Sequence, residues 1–161
     1  MSYFLNFKTN QSITFEQRIF SLKYGTMSKV IYPFIESNLP NDNFNKLPLV
    51  LVKVKFGNKN IDCYGLVDTG ANTSFISARV TRIINPVIID SLLTSTIIGV
   101  EEKPVVEIEL TTEALDNEWK MFKVGVTDFQ HPNIDLLLGR DFLEHFKLEY
   151  NQKDKTLSLE Y

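Results

Sequence analysis

A chain of 161 residues is sized for one domain with a decorated end. Hydrophobic residues at 43% supply a core, and charged residues at 23% leave an ordinary soluble surface. A net charge of -3 with scattered lysines and arginines excludes the electrostatic footprint of a nucleic-acid or anionic-membrane binder.

No segment reaches the roughly 18 uninterrupted apolar residues of a membrane span. Met1 to Asn10 lacks a basic start, an apolar block and a small-residue cleavage site, so the expected compartment is the cytoplasm. Cys63 is alone, which excludes an internal disulfide and a paired-cysteine redox or zinc site.

Taken in chain order, residues 1–46 hold half of the twelve phenylalanines, which disfavours a disordered tail. Ile13 to Tyr24 and Lys29 to Glu36 read as strands, and Asn38 to Lys46, rich in Asn and Pro, reads as a joint. The division drawn here is therefore an N-terminal β extension over 1–46 and a main domain over 47–161. From Leu47 onward short alternating apolar segments predict β structure. Leu49 to Phe56 and Ile61 to Val67 form a hairpin about the turn Gly57-Asn58, and the second strand delivers Asp68 at its end.

Phe75 to Ser77 reads as a short strand. Ser77 then caps a helix over Ala78 to Ile84, which Asn85-Pro86 stops. Thr94 to Val100 and Val105 to Thr111 read as strands flanking a hairpin tip at Glu101-Glu102-Lys103-Pro104. Trp119 to Val126 is a further strand. Arg140 to Phe146 suits a short helix with Phe142, Leu143 and Phe146 on one side. Lys147 to Tyr150 and Thr156 to Tyr161 bracket Asn151 to Lys155 as a terminal hairpin.

The chemistry concentrates at Asp68-Thr69-Gly70-Ala71. An acid after the apolar pair Leu66-Val67 has restricted solvation, and a glycine two residues on lets the backbone turn its N–H toward the carboxylate. Hydrolysis by paired carboxylates needs two acids about 3 Å apart, one serving as base and the other as acid. The chain has one Asp-Thr-Gly, so if it hydrolyses peptides in this way a second copy related by a two-fold axis must supply the other carboxylate. Elsewhere the bland readings prevail. Cys63 is a half-buried structural thiol. His131 and His145 lack a spaced third ligand, so no metal site is expected. Asp141 caps the helix that carries Phe142 and Leu143.

Three segments in order carry a resemblance: Leu66 to Ile76 around Asp68, then Ile97-Ile98-Gly99-Val100, then Leu137-Leu138-Gly139-Arg140-Asp141-Phe142-Leu143. Together they resemble the retropepsins, the single-lobe aspartic peptidases of retroviruses and retrotransposons with free-standing bacterial relatives. The resemblance covers about 47–161. It implies an all-β closed barrel with a flap hairpin and one or two short helices, a homodimer with an Asp68–Asp68 dyad, a peptide or protein substrate, and no cofactor. By position, Asp68 is the catalytic acid, Thr69 braces the dyad across the interface, and Gly70 completes the motif. Ala71, Asn72, Ile98, Gly99, Val100 and Glu101 would meet substrate, and Leu138, Gly139 and Arg140 would support the site. The C-terminal strand would help form the dimer sheet.

Two departures stand out. The family arginine matched by Arg140 pairs with an acid where this chain has Asn72, so Arg140 must use a neutral acceptor or another acid. The flap carries Gly99 alone and ends in Glu101-Glu102, which predicts a stiff acidic tip favouring basic or polar side chains. Both departures keep an alternative in view: a non-catalytic module of this fold that binds extended peptides.

Overall fold

The computed structural model describes residues 20–24, 27–36, 46–96 and 99–161. Its elements in chain order are β1 (Phe20–Tyr24), β2 (Met27–Pro33), β3 (Ile35–Glu36), β4 (Lys46–Leu47), β5 (Leu49–Phe56), β6 (Lys59–Val67) and β7 (Phe75–Ser77). Then follow α1 (Ala78–Ile84), β8 (Ile88–Thr96), β9 (Gly99–Thr111), a 3-10 turn over Glu113–Leu115, and β10 (Lys120–Thr127). Last come β11 (Leu136–Leu138), α2 (Arg140–Leu143), β12 (Lys147–Asn151) and β13 (Thr156–Glu160). The fold is all-β, as the alternating segments predict.

Six strands close into a ring, β5-β6-β11-β7-β10-β9, and β8 extends it as the outer partner of β9. Ring closure pairs every interior strand and leaves no edge within it. The alternation of β5 sets its orientation: Val50, Val52 and Val54 are fully buried while Lys53 is exposed. The β5–β6 turn pairs Phe56 with Lys59, and Gly57 holds φ at +60°, the first-position glycine that a two-residue hairpin of this twist requires. Helix α1 is capped by Ser77, whose hydroxyl accepts from Val80 N–H, and Asn85 ends it in the left-handed region with φ at 55°.

A second sheet, in the order β1-β2-β13-β12, brings the two ends of the chain together. Val30 and Tyr32 of β2 join Leu157 and Leu159 of β13 in the same core as the barrel strands. The Tyr32 hydroxyl is buried and bonded to Thr112 Oγ1 at 2.9 Å. Burial pushes its pKa up to about 12, against a smaller opposing effect of the Thr112 bond.

Three details differ from expectation. Strand β9 runs straight through Glu101 to Pro104, so these residues are not a hairpin tip. Ser91 pairs with Pro104 and Thr96 with Gly99, which moves the connection to 97–98, outside the described residues. Pro104 is tolerated because only β8 neighbours β9 at that point, the pairing with β10 ending at Val105. Helix α2 stops at Leu143, and the chain turns through Glu144 to Phe146 to start β12. The C-terminal strand β13 is paired on both edges within its own chain, with β12 on one side and β2 on the other, where a strand shared with a second copy was expected. Residues 13–19 and 38–45, parts of the expected first strand and joint, lie outside the described residues. Among the described residues no helix is long and apolar enough to cross a membrane.

Candidate active site

Strand β11 lies between β6 and β7, parallel to the first and antiparallel to the second. This placement brings the two loop motifs side by side. Gly65 makes the approach possible: a Cβ there would sit 2.7 Å from Leu138 Cδ1. Asp68 follows directly on β6, and its N–H donates to Leu138 O at 3.0 Å. Its carboxylate is then oriented from below, Gly70 N–H donating to Oδ1 at 2.9 Å. Ala71 N–H closes the turn on Asp68 O at 3.3 Å. Asp68 is partly buried, whereas Thr69, Gly70 and Asn72 are exposed.

The floor is braced by two residues that sequence reasoning did not assign to the site. Ser74, fully buried, donates its hydroxyl to Asp141 Oδ1 at 2.6 Å and its N–H to Asp141 Oδ2 at 2.9 Å. The same hydroxyl accepts from Gly139 N–H at 3.0 Å. Asp141 also accepts from Phe142 N–H, yet the N-cap of α2 is Gly139, so Asp141 ties two loops together rather than capping the helix. Gly139 packs so tightly that a Cβ would lie 2.7 Å from the Thr73 carbonyl carbon. No periodicity marks Ser74 or Asp141; only their adjacency to the two motifs could have drawn attention to them.

Arg140 contributes through its backbone, its N–H donating to Ala71 O at 2.9 Å. Its side chain is exposed and has no partner among the described residues; the bond to Asn72 or to another acid is not formed. Leu138 and Gly139 stand at the base of the Asp68 loop as their motif position suggests. Another anchor lies beneath: Asp135, at the start of β11, forms an ion pair with Arg79 and accepts from Tyr64 N–H at 3.3 Å. Cys63 is buried beside it. Desolvation foremost, with the Asp135 charge, pushes its thiol up to about 12, which makes it a poor nucleophile.

Above the floor opens a cleft of about 710 Å³. Asp68, Gly70, Ala71 and Asn72 line its bottom, residues 92–95 of β8 with Lys103 of β9 its roof, and residues 127–130 one side. Val100 and Glu101 are exposed on β9 outside the cleft lining, and Ile98 lies outside the described residues. Gly99 takes φ +142° where β9 begins, a conformation that suits glycine at the end of a hairpin. His131 and His145 make separate contacts: the first accepts from Asn133 N–H, the second stands edge-on to Phe122. Among the described residues no group of three or more potential metal ligands occurs.

Several solved structures are similar to the chain. A retropepsin-like aspartic protease from Rickettsia conorii is similar at 17% identity over 87% of this chain and 97% of its own, with a TM-score of 0.52. Simian foamy virus (mac) protease matches 60% of this chain and 91% of its own at 14% identity and TM-score 0.45. EIAV protease, solved with the inhibitor HBY-793, matches 66% and 93% at 18% identity and TM-score 0.45. At such identities the Rickettsia likeness speaks for the retropepsin-like fold. No curated protein matches the chain. The aspartyl protease family model matches residues 52–142, from the middle of β5 through the Asp68 loop to α2. More than half of the sequence is covered, and the chain belongs to the aspartyl protease family.

Proposed function

We propose that the protein is an aspartic endopeptidase that works as a homodimer, with Asp68 from each copy forming the catalytic dyad. The observation that carries this reading is the setting of Asp68: a partly buried carboxylate on the floor of a cleft, held by Gly70 N–H beneath a β-hairpin roof. A binding groove has no need of an oriented, half-desolvated acid; hydrolysis does.

In the proposed cycle an extended peptide enters between roof and floor and pairs with backbone as an added strand. Two carboxylates about 3 Å apart share one proton. The ionised Asp68 takes a proton from water as its oxygen attacks the scissile carbonyl, while the protonated Asp68 donates to the carbonyl oxygen. One Asp68 then protonates the nitrogen while the other carboxylate takes a hydroxyl proton from the resulting diol, the C–N bond breaks, and the pair again holds one shared proton. Thr69 hydroxyls brace the dyad across the axis, and Gly70 and Ala71 offer main-chain groups to the peptide. We place the contact between copies along β12, whose outer edge no other described strand pairs, rather than along β13, which is paired on both sides.

The test is digestion of unfolded casein with and without pepstatin, run beside sedimentation of the same protein. Cleavage by a dimer, and a loss of about a thousandfold or more in Asp68→Asn with the fold intact, are expected. Peptide capture without cleavage in both proteins would replace the enzyme by a binding module. A monomer at every concentration would remove the dyad.

A further inference from the structure

The charge of the flap suggests one substrate preference from sequence and the opposite from structure. Glu101 and Glu102 dominate the segment in sequence, yet neither lines the cleft. Glu102 is turned to Ser91, which donates its hydroxyl to the carboxylate. The residue that reaches the cleft from β9 is Lys103, directly opposite Leu92 of β8. Cross-strand neighbours share a face of the hairpin. The face is identified by Leu92: a Cβ on Gly125 of the barrel would meet Leu92 Cδ2 at 3.3 Å and the Phe75 ring at 2.4 Å. Leu92 thus points inward onto Phe75, and Lys103 lies beside it.

Lys103 is the one cation among the described residues lining the cleft. Its side chain is 25% exposed, so the stem packs against the roof while the ammonium remains reachable. At rest it is paired with Glu101 at 2.6 Å, a carboxylate 47% exposed that can turn to water and leave the ammonium to a ligand. Next to it Phe75, Leu92, Phe129 and Leu137 supply an apolar wall. Asp128, the other acid besides Asp68 among the described residues of the lining, lies toward Arg82, 4.0 Å from its guanidinium.

We infer that Lys103 is a specificity-determining residue that selects peptides carrying an acidic side chain, Glu or Asp, two positions from an apolar one. Residues two apart in an extended chain project to the same side. The apolar side chain fills the Phe75–Leu92 wall while the carboxylate displaces Glu101 from Lys103. This deepens the endopeptidase reading and rests on it for turnover, but binding alone can be measured without it.

The experiment uses a peptide series in which each position around an apolar residue carries Glu, Gln or Lys. Wild-type protein is assayed for cleavage and the Asp68→Asn protein for affinity by fluorescence anisotropy. A charge-assisted bond in a cleft closed over its ligand corresponds to about a tenfold preference for Glu over Gln at one position. In Lys103→Met, which keeps the apolar stem, that ratio falls to about one. In Lys103→Glu it reverses in favour of a Lys-bearing peptide. Glu101→Gln, which frees the ammonium, moves it the other way and raises the preference a few-fold. No Glu preference at any position, or one that survives in Lys103→Met, overturns the inference. Discrimination in binding with no cleavage of any peptide leaves Lys103 as the selector and overturns the endopeptidase reading instead.

Discussion

The same chemical pair, a serine hydroxyl on a carboxylate, occurs twice around the cleft in opposite settings. On the floor Ser74 bonds Asp141, with Ser74 fully buried and both of its backbone groups also engaged. On the roof Ser91 bonds Glu102 on the exposed face of the β8–β9 hairpin. A buried polar group left unpaired costs its full desolvation, while an exposed one turns to water at little cost. The floor is therefore built to hold one geometry, as positioning of Asp68 demands, and the roof is built from interactions that can be exchanged for contacts with a ligand. Exposed apolar residues on the hairpin, Leu93 and Val100 among them, fit that division.

The sharpest way to break the floor is at Gly139. In Gly139→Ala the new methyl would press on the main chain of Thr73, which has no side-chain torsion to yield. A loss of about 3 kcal/mol in stability is expected. Because the displaced chain is the Asp68 loop, peptide cleavage should fall by about a hundredfold or more even where the variant remains folded. Denaturant unfolding and kcat/KM together check this, and a variant with unchanged activity would disconnect the brace from the acid.

Ser74→Ala removes less. Gly139 N–H loses its acceptor and Asp141 Oδ1 keeps only Phe142 N–H. About 2 kcal/mol is expected, measured as a shift in the denaturation midpoint at constant slope.

Much of this site's geometry is legible in the sequence, and the reasons are physical. Alternation in Leu49 to Phe56 and the Gly57 turn determine a hairpin locally, so the delivery of Asp68 followed from residues near it in sequence. The role of Ser74 could not be read in that way, because its partners are 65 and 67 residues away. The flap differs from its sequence pattern for a related reason: charge and a proline imitate a turn, and only the pairing of Ser91 with Pro104 shows that the strand continues. Tyr32 had no pattern to announce it. Its burial depends on β13 arriving from the far end of the chain.

A milder test acts through pH. Cys63 under the floor and Tyr32 in the shared core both have pKa values raised to about 12 by burial. The folded protein keeps these protons while the unfolded chain releases them near pH 9 to 10. Their stabilisation is complete below that range and is lost as pH rises toward 12. Cys63→Ala and Tyr32→Phe should each flatten the alkaline limb of a stability–pH curve, with lower stability at neutral pH. Cys63 should also resist iodoacetamide at pH 8 until the protein is unfolded.

The smallest effect is expected at the roof. Ser91→Ala deletes a hydroxyl that solvent can replace, and Glu102 remains exposed to water on β9. Stability should change by less than about 0.5 kcal/mol, against about 2 for the matching deletion at Ser74. Cleavage should follow the same order, since neither Ser91 nor Glu102 lines the cleft. A loss at Ser91 equal to that at Ser74 would mean that the hairpin is held as rigidly as the floor. The exchange of Glu101 for a substrate carboxylate at Lys103 would then have to work against a fixed roof, and the ratio of the two serine effects measures how far the roof is free to make it.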